Sequence, residues 1–125
     1  MSKKRILVID DELELVAMLK IRLEANNYEV VTAGDGEEGM EKAKTEKPDL
    51  IILDIMMPKK DGYTFIKEMR TEQGIKSTPV IILTAKAKMQ DLFAIEGAKD
   101  YIVKPFEATE LLEKIARYFK NTGSE

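Results

Sequence analysis

The chain has 125 residues, 44% of them hydrophobic and 34% charged, with 20 basic and 23 acidic side chains giving a formal net charge of −3. One domain of this size buries roughly two thirds of its unfolded surface, and the absence of both cysteine and histidine excludes disulfide frameworks, thiolate or imidazole metal sites and Cys- or His-centred nucleophilic triads. The nearly balanced charge argues against a direct nucleic-acid surface, no apolar run approaches the roughly 20 residues of a membrane span, and Met1 to Arg5 leads into a stretch too short for a signal peptide; a single cytoplasmic domain over residues 1–125 is expected, with a core over about 4–119 and a frayed tail from 120.

Short apolar runs alternate with longer amphipathic ones. Arg5 to Ile9 reads as a strand closed by Asp10-Asp11, and Leu13, Val16, Ala17, Leu19 and Leu23 then recur at helical spacing. Tyr28 to Ala33 returns to strand chemistry, Gly34-Asp35-Gly36 is a turn, and Glu37 to Lys47 is a polar helix that Pro48 ends. Leu50 to Leu53 is continuously apolar, the mark of a strand covered on both faces. A loop over Met56 to Gly62 leads to a helix from Tyr63 to Gln73, in which Tyr63, Phe65 and Ile66 read as core or half-buried positions. Pro79 to Leu83 is a second fully apolar strand. Lys88 to Glu96 reads as a short helix, Tyr101 to Val103 as a short strand, and Glu107 to Phe119 as the last helix. Five βα units in this alternation imply an α/β fold, a parallel sheet with helices on both faces and right-handed crossovers.

In such sheets ligands sit beyond the carboxyl ends of the strands. Those ends carry Asp10 and Asp11, then Asp54, Thr84 and Lys104. Each alone is what any strand end offers; together they are three carboxylates, a hydroxyl and an amine from four segments. Two carboxylates about 4 Å apart repel by on the order of 4 kcal/mol at an effective dielectric near 20, so the set calls for a proton or a cation. Oxygen ligands without nitrogen or sulphur favour Mg²⁺. A metal ion, an ammonium and a hydroxyl around one carboxylate suit phosphoryl oxygens, which makes Asp54 a candidate nucleophile forming an acyl phosphate.

Asp10-Asp11, Ile51-Ile52-Leu53-Asp54-Ile55-Met56-Met57-Pro58, Asp61-Gly62, Thr84-Ala85 and Lys104-Pro105-Phe106 resemble the receiver domain of two-component response regulators, chemotaxis-regulator-like, over about Lys4 to Phe119. The resemblance implies a flavodoxin-like, doubly wound five-stranded sheet of order 2-1-3-4-5 with five helices. It implies that Asp54 accepts a phosphoryl group from a phospho-histidine on a sensor histidine kinase or histidine phosphotransfer protein. Asp11, Asp54 and the Met56 carbonyl would hold Mg²⁺, with Asp10 acting through water. Lys104 would pair with the carboxylate or phosphate, and its bond to Pro105 would be cis. Thr84 would turn to the phosphoryl group and Tyr101 would move inward, altering a surface made by the fourth helix, fifth strand and fifth helix. Such a chain would catalyse only its own phosphorylation and dephosphorylation and would pass its signal to an unidentified output partner, with a stand-alone protein favoured over a piece of a DNA-binding regulator. Thr84 and Lys104 lie slightly closer in sequence than in the commoner receivers, so a shortened or displaced fourth helix is expected.

Three other readings compete. Gly34 to Gly39 matches G-x-G-x-x-G, with Asp54 at the spacing of a ribose-binding acid. However, Asp35, Glu37 and Glu38 would repel a pyrophosphate, and an acidic helix start suits the macrodipole. A haloacid-dehalogenase-type hydrolase would need an acid where Met56 stands. A flavin phosphate would meet Asp10-Asp11. Met56 and Met57 are expected to pack under the site, and an apolar Met56 would hinder the water that hydrolyses an acyl phosphate.

Overall fold

Five parallel strands in the order β2-β1-β3-β4-β5 form the sheet of the computed structural model, which describes residues 3–57, 59–85 and 98–121. They are β1 (Arg5–Ile9), β2 (Glu29–Ala33), β3 (Leu50–Asp54), β4 (Val80–Thr84) and β5 (Ala98–Val103). The described residues form four helices, α1 (Leu13–Ala25), α2 (Gly36–Glu46), α3 (Gly62–Met69) and α4 (Ala108–Asn121). The helix expected over Lys88 to Glu96, and with it the full output surface, lies outside the described residues.

The central strands are apolar throughout because both of their faces are covered. Leu7, Ile9, Ile51, Leu53 and Ile82 point to one side, where Met40 and Ala43 of α2 and Phe65, Ile66 and Met69 of α3 meet them. Ile6, Val8, Leu50, Ile52, Ile81 and Leu83 point to the other, against Leu19 and Leu23 of α1 and Leu111, Ile115 and Phe119 of α4. This is the period-2 alternation of a strand sorted onto two cores. Each fully buried aliphatic side chain contributes roughly 1.5–3 kcal/mol.

Two helices differ from the sequence pattern. In α1, Leu13 is 78% exposed and Ala17 is exposed, while Leu15, Val16 and Met18 pack beside Leu19 and Leu23. Leu13 stands in the first turn, out beyond the strand ends, where the sheet has no side chains to offer it. Helix α3 stops at Met69 rather than near Gln73, because Arg70 folds the following chain back: its Nη1 donates to the carbonyls of Lys76 (2.8 Å) and Thr78 (3.0 Å), and Gly74 turns at φ +94°.

At the amino end of the sheet Arg5 ties three segments together. Its backbone N–H donates to Asp49 Oδ2 (2.8 Å), its Nε to Glu29 Oε1 (2.7 Å) and its Nη1 to the Glu46 carbonyl (2.6 Å).

Candidate phosphoacceptor site

The ladder register decides what meets at the opposite end. Ile9 pairs with Leu53, Asp54 with Leu83, and Thr84 with Val103. Asp10, Asp54, Thr84 and Lys104 therefore leave their strands at nearly one level. The Asp10 N–H still donates to Ala33 O (3.1 Å) and the Lys104 N–H to Thr84 O (2.8 Å), so the sheet fixes both backbones. Asp10 (0% exposed), Asp54 (4%) and Thr84 (2%) are the buried polar residues of the site, and Asp11 is exposed.

Oxygens of Asp10, Asp11 and Asp54 lie within 4.8 Å of one another. Asp54 Oδ1 accepts the Met56 N–H at 3.1 Å, and Asp10 Oδ1 accepts the Glu12 N–H at 2.9 Å. The Lys104 ammonium lies 2.7 Å from Glu12 Oε1, 2.8 Å from Asp10 Oδ2 and 3.5 Å from Asp54 Oδ2. The approach to Asp10 lacks hydrogen-bond alignment, so Asp10 Oδ2 is buried with no hydrogen bond. The charge on that oxygen is met by the Lys104 ammonium as an ion pair. Three carboxylates with no nitrogen or sulphur donor among them fit Mg²⁺.

Burial raises the Asp54 pKa to about 6, and repulsion from Asp10 adds to this; the Met56 N–H and Lys104 pull the other way. Burial also works against the Lys104 ammonium, but the carboxylates of Asp10, Glu12 and Asp54 outweigh it and hold its pKa above the ordinary lysine range. The site thus pairs a reluctant carboxylate with a permanent cation.

The loop after β3 is held on both sides. Gly62 N–H donates to Ile55 O (2.9 Å), and a Cβ on Gly62 would lie 2.7 Å from the Ile55 Cα. Asp61 caps α3 by accepting the Thr64 N–H (2.8 Å). At the start of α2, a Cβ on Gly36 would lie 2.2 Å from the Lys60 carbonyl oxygen. Only glycine lets the two backbones approach so closely. Met57 is buried, whereas Met56 is 63% exposed and does not pack beneath the site; a strand has ended there, and its side chain turns out into the loop.

The Lys104–Pro105 peptide bond is cis. Tyr101 is half-buried against the core on the α2/α3 side and pairs with Ile82, two residues before Thr84. By strand alternation Ile82 and Thr84 share that face, so Tyr101 is a diagonal neighbour of Thr84. The G-x-G-x-x-G stretch is closed on itself: Asp35 Oδ1 accepts the Glu38 N–H and Glu38 Oε1 accepts the Gly34 N–H, each at 2.8 Å. The protein's own carboxylates occupy the donors a pyrophosphate would use.

Glu12 was not marked by its sequence position. The only signal is a third acid directly after Asp10-Asp11, and nothing local shows that a lysine 92 residues away reaches it.

The sequence pattern of the family described as "Response regulator receiver domain" matches residues 6–116. The chain belongs to this family. The receiver is 46% identical over 114 residues to the alkaline phosphatase synthesis transcriptional regulatory protein PhoP of Bacillus subtilis, covering 90% of this chain and 47% of that protein. It is 44% identical over 113 residues to the response regulator ArlR of Staphylococcus aureus, covering 89% and 50%. It spans about half the length of such relatives. Among solved structures, the chemotaxis response regulator CheY4 of Vibrio cholerae superposes with a TM-score of 0.85 at 35% identity, covering 93% of this chain and 98% of that one. The Francisella response regulator 1452 receiver domain gives 0.86 at 32%, covering 96% and 99%. The receiver is accordingly a signalling switch of the two-component type, a class phosphorylated by histidine kinases; receivers bind Mg²⁺ at an acidic pocket, and the described residues hold an acidic cluster of Asp10, Asp11 and Asp54.

Proposed function

We propose that Asp54 is the phosphoacceptor. A carboxylate oxygen of Asp54 forms a bond to phosphorus while the phosphorus–nitrogen bond of a donor phospho-histidine breaks, and the departing imidazole takes up a proton. The observation that carries this reading is the buried carboxylate of Asp54, with Asp10 and Asp11 clustered on one side and the Lys104 ammonium on the other. Asp11, Asp54 and the Met56 carbonyl would hold Mg²⁺, with Asp10 in support, and the ion would neutralise charge on the transferred group. Lys104 balances the added negative charge from the other side. Thr84 donates its hydroxyl to a phosphoryl oxygen, which frees room for Tyr101 and carries the change towards β5 and α4.

Magnitudes limit what Thr84 does alone. A charge-assisted hydrogen bond contributes roughly 1.5–3 kcal/mol, whereas driving a 1:99 equilibrium to 99:1 takes about 5.5 kcal/mol. Either the contacts of Lys104 and the metal also differ between the two states, or the inactive state is only marginally favoured. The only catalysis in this reading is the receiver's own phosphorylation and dephosphorylation. The phosphodonor is a sensor histidine kinase or a histidine phosphotransfer protein, and the setting is cytoplasmic; no described helix is long and apolar enough to cross a membrane. Relatives named as transcriptional regulators support an output at transcription, and a stand-alone receiver acting on a separate partner is the second reading.

Intact mass after incubation with acetyl phosphate tests the chemistry. One phosphoryl addition is expected, dependent on Mg²⁺ and absent in Asp54→Asn. Addition that persists in that variant would move the acceptor elsewhere.

A further inference from the structure

Lys104 has more partners than the phosphoacceptor reading uses. Its shortest contact is to Glu12, at 2.7 Å, and that bond is a true hydrogen bond; the one to Asp54 is stretched to 3.5 Å. Glu12 is no part of the acidic cluster formed by Asp10, Asp11 and Asp54. Its side chain is 60% exposed, at the rim of a cleft of about 360 Å³ that Leu15, Lys104, Pro105 and Phe106 also line. Nor is it spent on capping α1: it occupies the N-cap position without a side-chain hydrogen bond to the helix. Its backbone is nevertheless fixed, because its N–H donates to Asp10. The carboxylate is thus anchored at one end and attached to Lys104 at the other.

We propose that Glu12 is a positioning residue that holds the Lys104 ammonium away from Asp54 in the unphosphorylated receiver, so that phosphoryl transfer requires this pair to open. This rests on Asp54 as phosphoacceptor. Lys104 sits between two claims: a carboxylate at the rim now, and a phosphoryl group on Asp54 later. A cation on Asp10, Asp11 and Asp54 would compete with the ammonium for two of its three partners, which leaves Glu12 as the one that retains it. An ion pair with one exposed member is weak, which suits a restraint that must yield.

The test follows phosphorylation by acetyl phosphate at saturating Mg²⁺, read by intact mass over time. The bond from phosphorus to Asp54 forms as the bond to the acetyl oxygen breaks and acetate leaves. Glu12→Gln is expected to react roughly three- to fivefold faster than the unaltered chain, the kinetic equivalent of one such pair. Glu12→Asp keeps the charge but shortens the reach, and is expected to accelerate similarly. Glu14→Gln, which removes a charge from the same first turn, leaves the rate unchanged. In metal-free protein the Lys104 ¹⁵Nζ resonance shifts in both Glu12 variants and not in Glu14→Gln. A Glu12→Gln rate equal to or below that of the unaltered chain would overturn the proposal. So would acceleration in Glu12→Gln with none in Glu12→Asp, which would mean that charge alone acts on the incoming anion. If the unaltered chain takes up no phosphoryl group, the phosphoacceptor reading falls first and this one with it.

Discussion

Asp10 and Asp54 end neighbouring parallel strands, both buried, and the repulsion of the first adds to the burial that lifts the second to a pKa of about 6. Asp54 then destabilises the metal-free fold whenever it is ionised. The folded pKa exceeds that of an unfolded aspartate, so the folded chain binds the extra proton between about pH 4 and 6. The penalty is full above that window and fades as pH falls through it. Asp54→Asn is therefore expected to be more stable than the unaltered chain at pH 7.5 in chelator, by on the order of 2 kcal/mol. The difference falls to about a third of that near pH 4.5 and closes only below about pH 4. Urea unfolding at several pH values checks this, and a gap that does not change with pH would contradict it.

Magnesium should reverse the penalty. A ligand present at 100 times its dissociation constant stabilises by about 2.7 kcal/mol, so chelation is expected to lower the melting temperature measurably at pH 7.5. The effect should shrink below pH 6, where the metal must displace a proton from Asp54. Asp11→Asn should lose most of the metal-dependent shift while keeping its metal-free melting temperature. An equal shift in that variant would place the ion elsewhere.

The close approach of Gly36 to Lys60 links α2 to the loop that bears Met56. Gly36→Ala brings a methyl group against a backbone oxygen, which cannot swing aside as a side-chain tip does, and is expected to destabilise by about 1–3 kcal/mol. Gly34→Ala, where a Cβ would meet nothing nearer than 3.7 Å, should be far milder. Because the loop must shift, Gly36→Ala should also weaken Mg²⁺ binding more than its stability loss accounts for, as a calorimetric titration of the folded variant would show.

Met56 stands exposed at the mouth of the site. An apolar side chain there gives an attacking water no hydrogen-bonding partner. Met56→Asn is expected to shorten the lifetime of the phosphorylated form several-fold, followed by loss of the added mass after removal of the donor. An unchanged lifetime would show that Met56 does not control water entry.

The strands and their ends were legible because burial on both faces leaves a run such as Leu50 to Leu53 little choice but to be apolar, and the first polar residue after it marks the sheet edge. That logic located Asp54 without any side-chain geometry. It failed where a helix extends past what it covers: Leu13 has the spacing of a core residue, yet the sheet ends before reaching it. It failed again at α3, whose end is set by Arg70 bonding carbonyls six and eight residues on, and propensity does not report such a clasp. Glu12 shows the deeper limit. Its partner lies across the whole domain, and only the superposition of strand ends brings the two together.

Arg5 and Asp10 bracket one short strand. At about 3.3 Å per residue, five residues separate the triple clasp of Arg5 from the acidic cluster by roughly 16 Å. The fastening that secures the domain and the group that carries its chemistry therefore occupy opposite poles of the sheet. Charge added at Asp54 would lie about two Debye lengths from the clasp at physiological salt, so the clasp is expected to hold alike in both states.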